Sequence, residues 1–276
     1  MYLLSICIPT FNRAKNLKAM LDSIKPHSNI EIVICDDGST DKTREVVMSF
    51  IKKHNIKYIY QKNSGVSAAI AKAYNHALGE YVIKMDSDDL FMDNGLDFIL
   101  ETLKNNQEHF AFLFGVKTIN KKIHSKNLPP LGITNFISVR ADYKVKGDLK
   151  EIVRREIVLK YMYKIPNKVK RIPPSLLWVK IAEDYNCFSF NKAVAIKNYL
   201  DDGSTSNMLN LKTSYPAAMV ELYNFLRTVR FINPLYIVGA LVYSGLVIVF
   251  TIIQYLLRVG GIGLCLFLVF LFMQLI

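Results

Sequence analysis

The first hundred residues alternate short apolar runs with stretches in which apolar residues recur at helical spacing. Residues 3–9 form an apolar run, and Leu17, Met20, Leu21 and Ile24 follow three and four apart. Residues 30–35 read as a second buried strand ending at Asp36-Asp37-Gly38. Ser39 or Thr40 is placed to cap the next helix, whose apolar face is Val46, Val47, Phe50 and Ile51. Residues 56–60 give a third strand, 67–78 a helix with Ala69, Ala73, Tyr74 and Ala77 on one face, and 81–85 a fourth strand. This βαβαβαβ order predicts an α/β fold, a largely parallel sheet with helices on both faces. Such sheets bind ligands outside the carboxyl ends of their strands, so the loops after residues 9, 35 and 85 are the places to look for chemistry.

Beyond that point the pattern weakens. Residues 110–116 suggest another strand, while 120–175 show little periodicity and carry Pro129-Pro130 and Pro173-Pro174 as breakers. Residues 175–182 read as a short helix, and 193–200 as a strand or edge segment before the turn Asp201-Asp202-Gly203. The chain therefore divides into a ligand-binding half (1–110), an acceptor-side half (111–214), a linking helix (215–234) and a hydrophobic segment (235–276).

The last segment explains the hydrophobic fraction of 51% across 276 residues, because only Arg258 interrupts residues 235–276 with a charge. A helix of roughly 20 apolar residues crosses a hydrocarbon core, and residues 235–257 reach that length. Residues 259–276 are shorter and carry Gly260, Gly261 and Gly263, so a single span, a tight hairpin and a half-inserted helix all fit. Two adjacent all-round apolar segments would need a larger protein to bury them, so the expectation is membrane attachment. The apolar run at residues 3–9 is too short for a signal peptide and has no basic flank. The N-terminal half is therefore expected at the cytoplasmic face of a membrane.

The formal net charge of +12 is concentrated: between Arg140 and Lys180 there are 12 Lys/Arg against four acids. No stacking platform of aromatics and no nucleic-acid motif accompanies this patch, so nucleic acid is not the expected partner. Ahead of an apolar segment it suits anionic head groups or a pyrophosphate-bearing acceptor, with a merely solvated surface as the alternative. Cys7, Cys35, Cys187 and Cys265 form no CxxC pair, and the five histidines form no cluster, which argues against zinc.

Two acidic motifs carry the chemistry. In Asp36-Asp37-Gly38-Ser39-Thr40-Asp41 an aspartate at a strand-to-helix turn can accept the imide proton of uracil, and the glycine allows a tight turn. Asp-Gly-Ser is also ordinary turn and cap chemistry. In Asp86-Ser87-Asp88-Asp89 three carboxylates crowd one strand end and repel each other unless a cation is present. A hard divalent ion relieves that repulsion and stabilises a departing nucleoside diphosphate. An acidic loop capping a helix near Asp93 accounts for one carboxylate but not for three.

Five ordered elements, Ile8-Pro9-Thr10-Phe11-Asn12, Val33 to Asp41, Asn63-Ser64-Gly65-Val66-Ser67-Ala68-Ala69, Gly79-Glu80-Tyr81-Val82 and Asp86-Ser87-Asp88-Asp89, resemble the inverting family 2 glycosyltransferases over about residues 3–100. The resemblance implies a GT-A fold, a nucleotide-activated sugar (very often a UDP-sugar) as donor, and Mg²⁺ or Mn²⁺ as cofactor. Carried over, Pro9, Thr10, Asn12, Asp36, Asp37, Gly65, Lys72, Asp86 and Ser87 would bind the donor, and Asp86 and Asp88 the metal. Ile70 departs from the Arg or Leu common there, with Lys72 close enough to substitute. More loosely, residues 140–207 resemble a bacterial subgroup that builds surface polysaccharides, through Lys146-Gly147-Asp148, residues 178–182 and residues 199–204. The Gln-x-x-Arg-Trp motif of processive relatives is absent around Trp178, which favours transfer of one sugar.

An inverting transfer needs a base for the acceptor hydroxyl. Where the subgroup shows Pro-Glu this chain has Pro173-Pro174, leaving Glu183, Asp184 and Asp202 as candidates, each with a solvated helix end or a turn as its alternative. The leading reading is a glycosyltransferase moving one sugar from a UDP-sugar to a lipid-linked saccharide in bacterial surface polysaccharide assembly, at the cytoplasmic face of the inner membrane. The runner-up, motivated by Pro174, is a non-catalytic nucleotide-sugar-binding scaffold subunit. A nucleotidyltransferase would need a Gly-rich pyrophosphate loop with a following Lys, which is absent near the N-terminus.

Overall fold

Every side chain of β1 (Leu4–Thr10) and β2 (Ile30–Asp36) is buried. Both strands lie inside a sheet covered on both faces, which is why they read as unbroken apolar runs rather than alternating ones. The computed structural model describes residues 2–120, 122, 125–162, 165, 170–172 and 174–198, all within one compact unit, Met1–Met208. Residues 199–276, with the turn at Asp202 and the predicted linking and hydrophobic segments, lie outside the described residues. No helix among the described residues is long and apolar enough to cross a membrane.

The predicted elements of the first half are present: α1 (Ala14–Asp22), α2 (Thr43–Phe50), β3 (Ile56–Tyr60), α3 (Val66–His76) and β4 (Tyr81–Lys84). After them come β5 (Leu90–Phe91), α4 (Gly95–Asn105), β6 (Ala111–Thr118), β7 (Gly132–Thr134), α5 (Phe136–Ala141), β8 (Lys150–Arg154), α6 (Arg155–Tyr161), α7 (Ser175–Ile181) and β9 (Cys187–Lys197). The sheet order is β3-β2-β1-β4-β8-β6-β9-β5, with β7 also paired to β9. One face packs on α1, α2 and α4 through Leu17, Met20, Val47 and Leu100. The other packs on α3, α5, α6 and α7 through Ala73, Val139, Val158 and Trp178.

Four expectations need correction. The sheet is mixed rather than largely parallel, because β8 runs antiparallel between β4 and β6, and β5 and β7 run antiparallel to β9. β8 escaped the hydrophobic pattern because it carries Lys150, Glu151 and Arg154 within five residues. Residues 193–197 belong to an interior strand, flanked by β6 on one side and by β5 and β7 on the other. Ser39 and Thr40 do not cap α2: the Asp41 carboxylate accepts from Thr43 N at 3.0 Å and from Ala14 N at 3.1 Å, tying both helix starts together. The α2 face is also narrower than predicted, since Ile51 is exposed just past the helix end. Cys7, Cys35 and Cys187 are buried without pairing, as small hydrophobes.

Candidate active site

The carboxyl ends of β1, β2, β3, β4 and β9 all lie on one rim of the sheet, and the antiparallel β8 brings its amino end to the same rim. Pro9 and Thr10 close β1 there, and both are buried. Asn12 follows in a left-handed conformation (φ 50°), so its side chain reaches the neighbouring loop and accepts from Thr40 N at 2.8 Å. Its own N–H donates to the Ser39 hydroxyl at 2.9 Å. The loops after β1 and β2 are thereby locked into one shelf.

The two aspartates at the end of β2 are both buried and both hydrogen-bonded by this shelf. Asp36 accepts from Ser39 N at 2.8 Å and from the Tyr58 hydroxyl at 2.7 Å. Burial and that aspartate push the Tyr58 hydroxyl well above its ordinary pKa, so it stays a donor. Asp37 accepts from Gln61 Nε2, Ser64 N and Gly65 N, at 2.7, 2.8 and 2.8 Å. Gly65 has φ +96° and touches the Lys170 backbone where a Cβ would stand, so only glycine fits this junction. Lys72, nearly two turns into α3, lies half-buried and within electrostatic reach of Cys35 at the end of β2.

Beyond β4 the acidic motif meets three lysines. Asp86 Oδ1 lies 2.5 Å from Lys84 Nζ and its Oδ2 lies 3.0 Å from Lys197 Nζ. Burial raises the Asp86 carboxyl, but Lys84 and Lys197 outweigh it and hold it well below the usual carboxylate range. Asp89 is wholly buried, 2.7 Å from Lys150 Nζ and 3.5 Å from Lys197 Nζ. Asp88 has no cationic side chain within ion-pair distance among the described residues; burial, Asp86 and Asp89 push its carboxyl up. Ser87 is buried between them. Among the described residues no group of three or more His, Cys, Asp or Glu is gathered closely enough to hold a metal by itself.

The segment before α7 docks on this rim: Ser67 N donates to Lys170 O at 3.3 Å, Ile172 N to the Ser67 hydroxyl at 2.7 Å, and Lys170 Nζ to Asn63 at 2.9 Å. Pro174 then caps α7 without a side-chain hydrogen bond. Glu183 and Asp184 follow the far end of α7, beside the amino end of β9, and Asp184 accepts from the Tyr161 hydroxyl. The eleven residues of β9, roughly 35 Å at about 3.3 Å each, separate that end from the acidic cluster that Lys197 meets. The structure therefore brings together Pro9, Thr10, Asn12, Asp36, Asp37 and Gly65 on one shelf, sets Asp86, Ser87 and Asp88 on the same rim, and leaves Glu183 and Asp184 elsewhere.

Two further residues at the rim carried no sequence signal. Lys197 ends β9, where a lysine reads as an exposed strand end. Glu151 pairs with Leu113 and lies one residue inside the rim on β8, on the face that α7 covers with Leu177 and Trp178. Burial pushes its carboxyl up to about 7, against the opposing pull of Arg140 and Lys150.

A family model described as Glycosyl transferase family 2 matches residues 5–148, the span from β1 to the rim end of β8. The chain belongs to glycosyl transferase family 2. Within that family, an uncharacterized glycosyltransferase of Rickettsia conorii is 37% identical over 112 residues, 39% of this chain and 18% of the relative. The chain thus matches less than a fifth of that relative's length. WfgD of Escherichia coli, a UDP-Glc:alpha-D-GlcNAc-diphosphoundecaprenol beta-1,3-glucosyltransferase, is 27% identical over 203 residues, 72% of this chain and 77% of WfgD. Among solved structures, S. aureus TarS 1-349 in complex with UDP-GlcNAc superposes with TM-score 0.67 at 21% identity, covering 81% of this chain and 67% of that one. The mannosyltransferase PcManGT from Pyrobaculum calidifontis, in complex with GDP-Man and Mn2+, gives 0.58 at 18% identity, covering 87% and 69%. These likenesses establish a GT-A-type α/β fold for this family 2 chain.

Proposed function

We propose that the chain transfers a single sugar from a UDP-sugar to a lipid-linked saccharide, with inversion, during bacterial surface polysaccharide assembly. The observation that carries the reading is the shared rim: the Asp36-Asp37 shelf and the Asp86–Asp89 cluster sit together at the carboxyl ends of β2 and β4. The UDP-GlcNAc complex of TarS and the lipid-diphosphate acceptor in the name of WfgD support this reading, and the GDP-Man complex of PcManGT supports a nucleotide sugar in general. In this reading Pro9, Thr10, Asn12, Asp37 and Gly65 line the nucleoside side, and Lys72, Asp86 and Ser87 the diphosphate side.

A hard divalent cation, Mg²⁺ or Mn²⁺, suits the chemistry of this donor set. Asp88 is pushed up first by burial and then by Asp86 and Asp89, and the second part is the repulsion such a cation relieves. Asp88, with help from Asp86, would hold it, and diphosphate and water oxygens would complete the coordination that two carboxylates cannot. When bound it would supply charge stabilisation for the departing nucleoside diphosphate. Lys84 and Lys197 keep Asp86 ionised at the same place.

The acceptor proton needs a carboxylate near the rim. Pro174 cannot take it, and Glu183 and Asp184 lie at the wrong end of β9. The reading assigns this role to Glu151, one residue inside the rim and poised near neutrality. The membrane enters through residues 235–276 and the basic stretch 140–180, which would hold the enzyme at the cytoplasmic face beside its lipid-linked acceptor.

The test is UDP release by membranes containing the full chain, supplied with a panel of UDP-sugars and lipid-diphosphate saccharides. Turnover that disappears in Asp88→Ala supports the enzyme. UDP binding without turnover on any acceptor would instead support the scaffold reading that Pro174 motivates.

A further inference from the structure

Lys197 reaches from the end of β9 into the acidic cluster, its Nζ 3.0 Å from Asp86, 3.5 Å from Asp89 and 3.4 Å from Asp148. The first two carboxylates each have another, closer lysine. Lys84 stands 2.5 Å from Asp86, and Lys150 stands 2.7 Å from Asp89. Asp148 is half exposed, so water reaches it. Removing a cation from a buried carboxylate is costly because the remaining charge is left uncompensated in low dielectric. That cost is reduced for Lys197, since its departure leaves Asp86 and Asp89 each with a lysine, although Asp89 Oδ1 loses a cation 3.5 Å away. Lys150 differs: it is buried, and it makes the shortest contact to the wholly buried Asp89.

Three carboxylates surround this ammonium, whose side chain is 13% exposed. It stands on an unbranched stem at a strand terminus, where a change of side-chain rotamer moves the charge by several ångströms without moving the sheet. A permanently charged, replaceable ammonium beside the cluster thus faces the ligand-binding rim.

We propose that Lys197 binds the donor's diphosphate, leaving Asp86 as the nucleotide seats and pairing with phosphate oxygens. This rests on the reading that a nucleoside diphosphate binds at this rim. An ammonium–phosphate contact is a charge-assisted hydrogen bond, about twice as strong as a neutral one. Part of the affinity for the diphosphate is then independent of any divalent cation. Asp86 changes partners in the same event, from two lysines to one lysine and whatever cation the site recruits.

The experiment measures UDP binding by isothermal titration on the full-length chain, with Mn²⁺ and with EDTA, and uridine binding by NMR. Lys197→Met and Lys197→Gln are compared with wild type, and Lys197→Arg serves as the conservative control. Both neutral variants should bind UDP about tenfold more weakly in either condition, a loss of about 1.4 kcal/mol. Uridine affinity should be unchanged, which also shows that the variants are folded, and Lys197→Arg should stay within a few-fold of wild type. Wild-type UDP affinity in both neutral variants, or tighter binding, would overturn the proposal and leave Lys197 as a counter-ion of the cluster. Absence of UDP binding by the wild type would overturn the donor-site reading itself, and this inference with it.

Discussion

Lys150 Nζ lies 2.7 Å from Asp89 Oδ2, with the lysine side chain 5% exposed and the aspartate not exposed at all. The pair crosses from the first residue of β8 to the last residue of the acidic motif, so it ties the antiparallel strand to the loop that presents Asp86 and Asp88. Asp89 is thereby the structural member of the motif, with both charges of its closest ion pair buried. Its N–H also closes the turn by donating to Asp86 O at 3.0 Å.

Lys150→Met removes the closer of the two lysines at Asp89 and leaves only Lys197 at 3.5 Å, so it should destabilise the fold by up to roughly 3–5 kcal/mol. Asp89→Leu combined with Lys150→Met should recover much of that loss, because both charges of the pair are gone and Lys197 keeps Asp86 as its partner. Urea titration of the two variants against wild type reads both effects; equal destabilisation by the single and double changes would contradict the pairing.

Asp88→Asn keeps the shape of the side chain and removes the charge that a divalent cation would use. Mn²⁺ binding in the presence of UDP should weaken markedly, and turnover should drop on the order of 100-fold, the usual cost of one lost charge-stabilising group. Uridine binding should be unaffected, since the Asp36-Asp37 shelf is separate. Manganese EPR and UDP-release assays measure the two halves of this expectation.

Glu151 makes a paired prediction with opposite slopes. Its carboxyl is pushed up to about 7 from an ordinary 4.5, so between these values the folded chain retains a proton that the unfolded chain has released. Stability should therefore fall as pH rises through that window, by on the order of 2 kcal/mol, and Glu151→Gln should abolish the slope. If the group is the acceptor base, kcat/KM should rise over the same range and level off above about 7. Glu151→Gln should then be at least about 100-fold slower. A variant that loses the stability slope but keeps the wild-type pH–rate profile would assign Glu151 to the fold alone.

Gly65→Ala tests the junction between shelf and helix. Its φ of +96° is strained for alanine, and the new Cβ would overlap the Lys170 backbone. A loss of about 2–3 kcal/mol is expected from strain together with displacement of the 170–172 segment. Because Gly65 N donates to Asp37, UDP affinity should fall as well. Thermal unfolding and UDP titration of the same sample report the two consequences.

Much of the first half of the fold was legible in sequence, and the reason is local. β1, β2 and β4 are buried on both faces, so their apolar runs are continuous, and each ends abruptly in the polar residues that make the rim. Asp36, Asp37, Asp86 and Asp88 are recognisable because carboxylates crowded at a strand end repel one another unless a donor or a cation meets them. The cap of α2 was misread because Ser39, Thr40 and Asp41 are all good caps, and only the approach of α1 selects Asp41 to serve both helices.

The other half depended on contacts between residues far apart in the chain. Nothing in residues 145–155 announces a strand, since Lys150, Glu151 and Arg154 find partners only when β8 slides between β4 and β6. Nothing near Lys197 announces that it meets aspartates 111 and 108 residues earlier, for which only the pairing of β9 with β6 and β5 is responsible. Counting residues already set Glu183 and Asp184 at the far end of the helix after Pro174, and the length of β9 places that end at the opposite rim. Sequence alone determined the strand ends and their carboxylates, because periodicity and turn chemistry act over a few residues. The tertiary structure decided which charges face those carboxylates, because that pairing is set by strand order across the sheet.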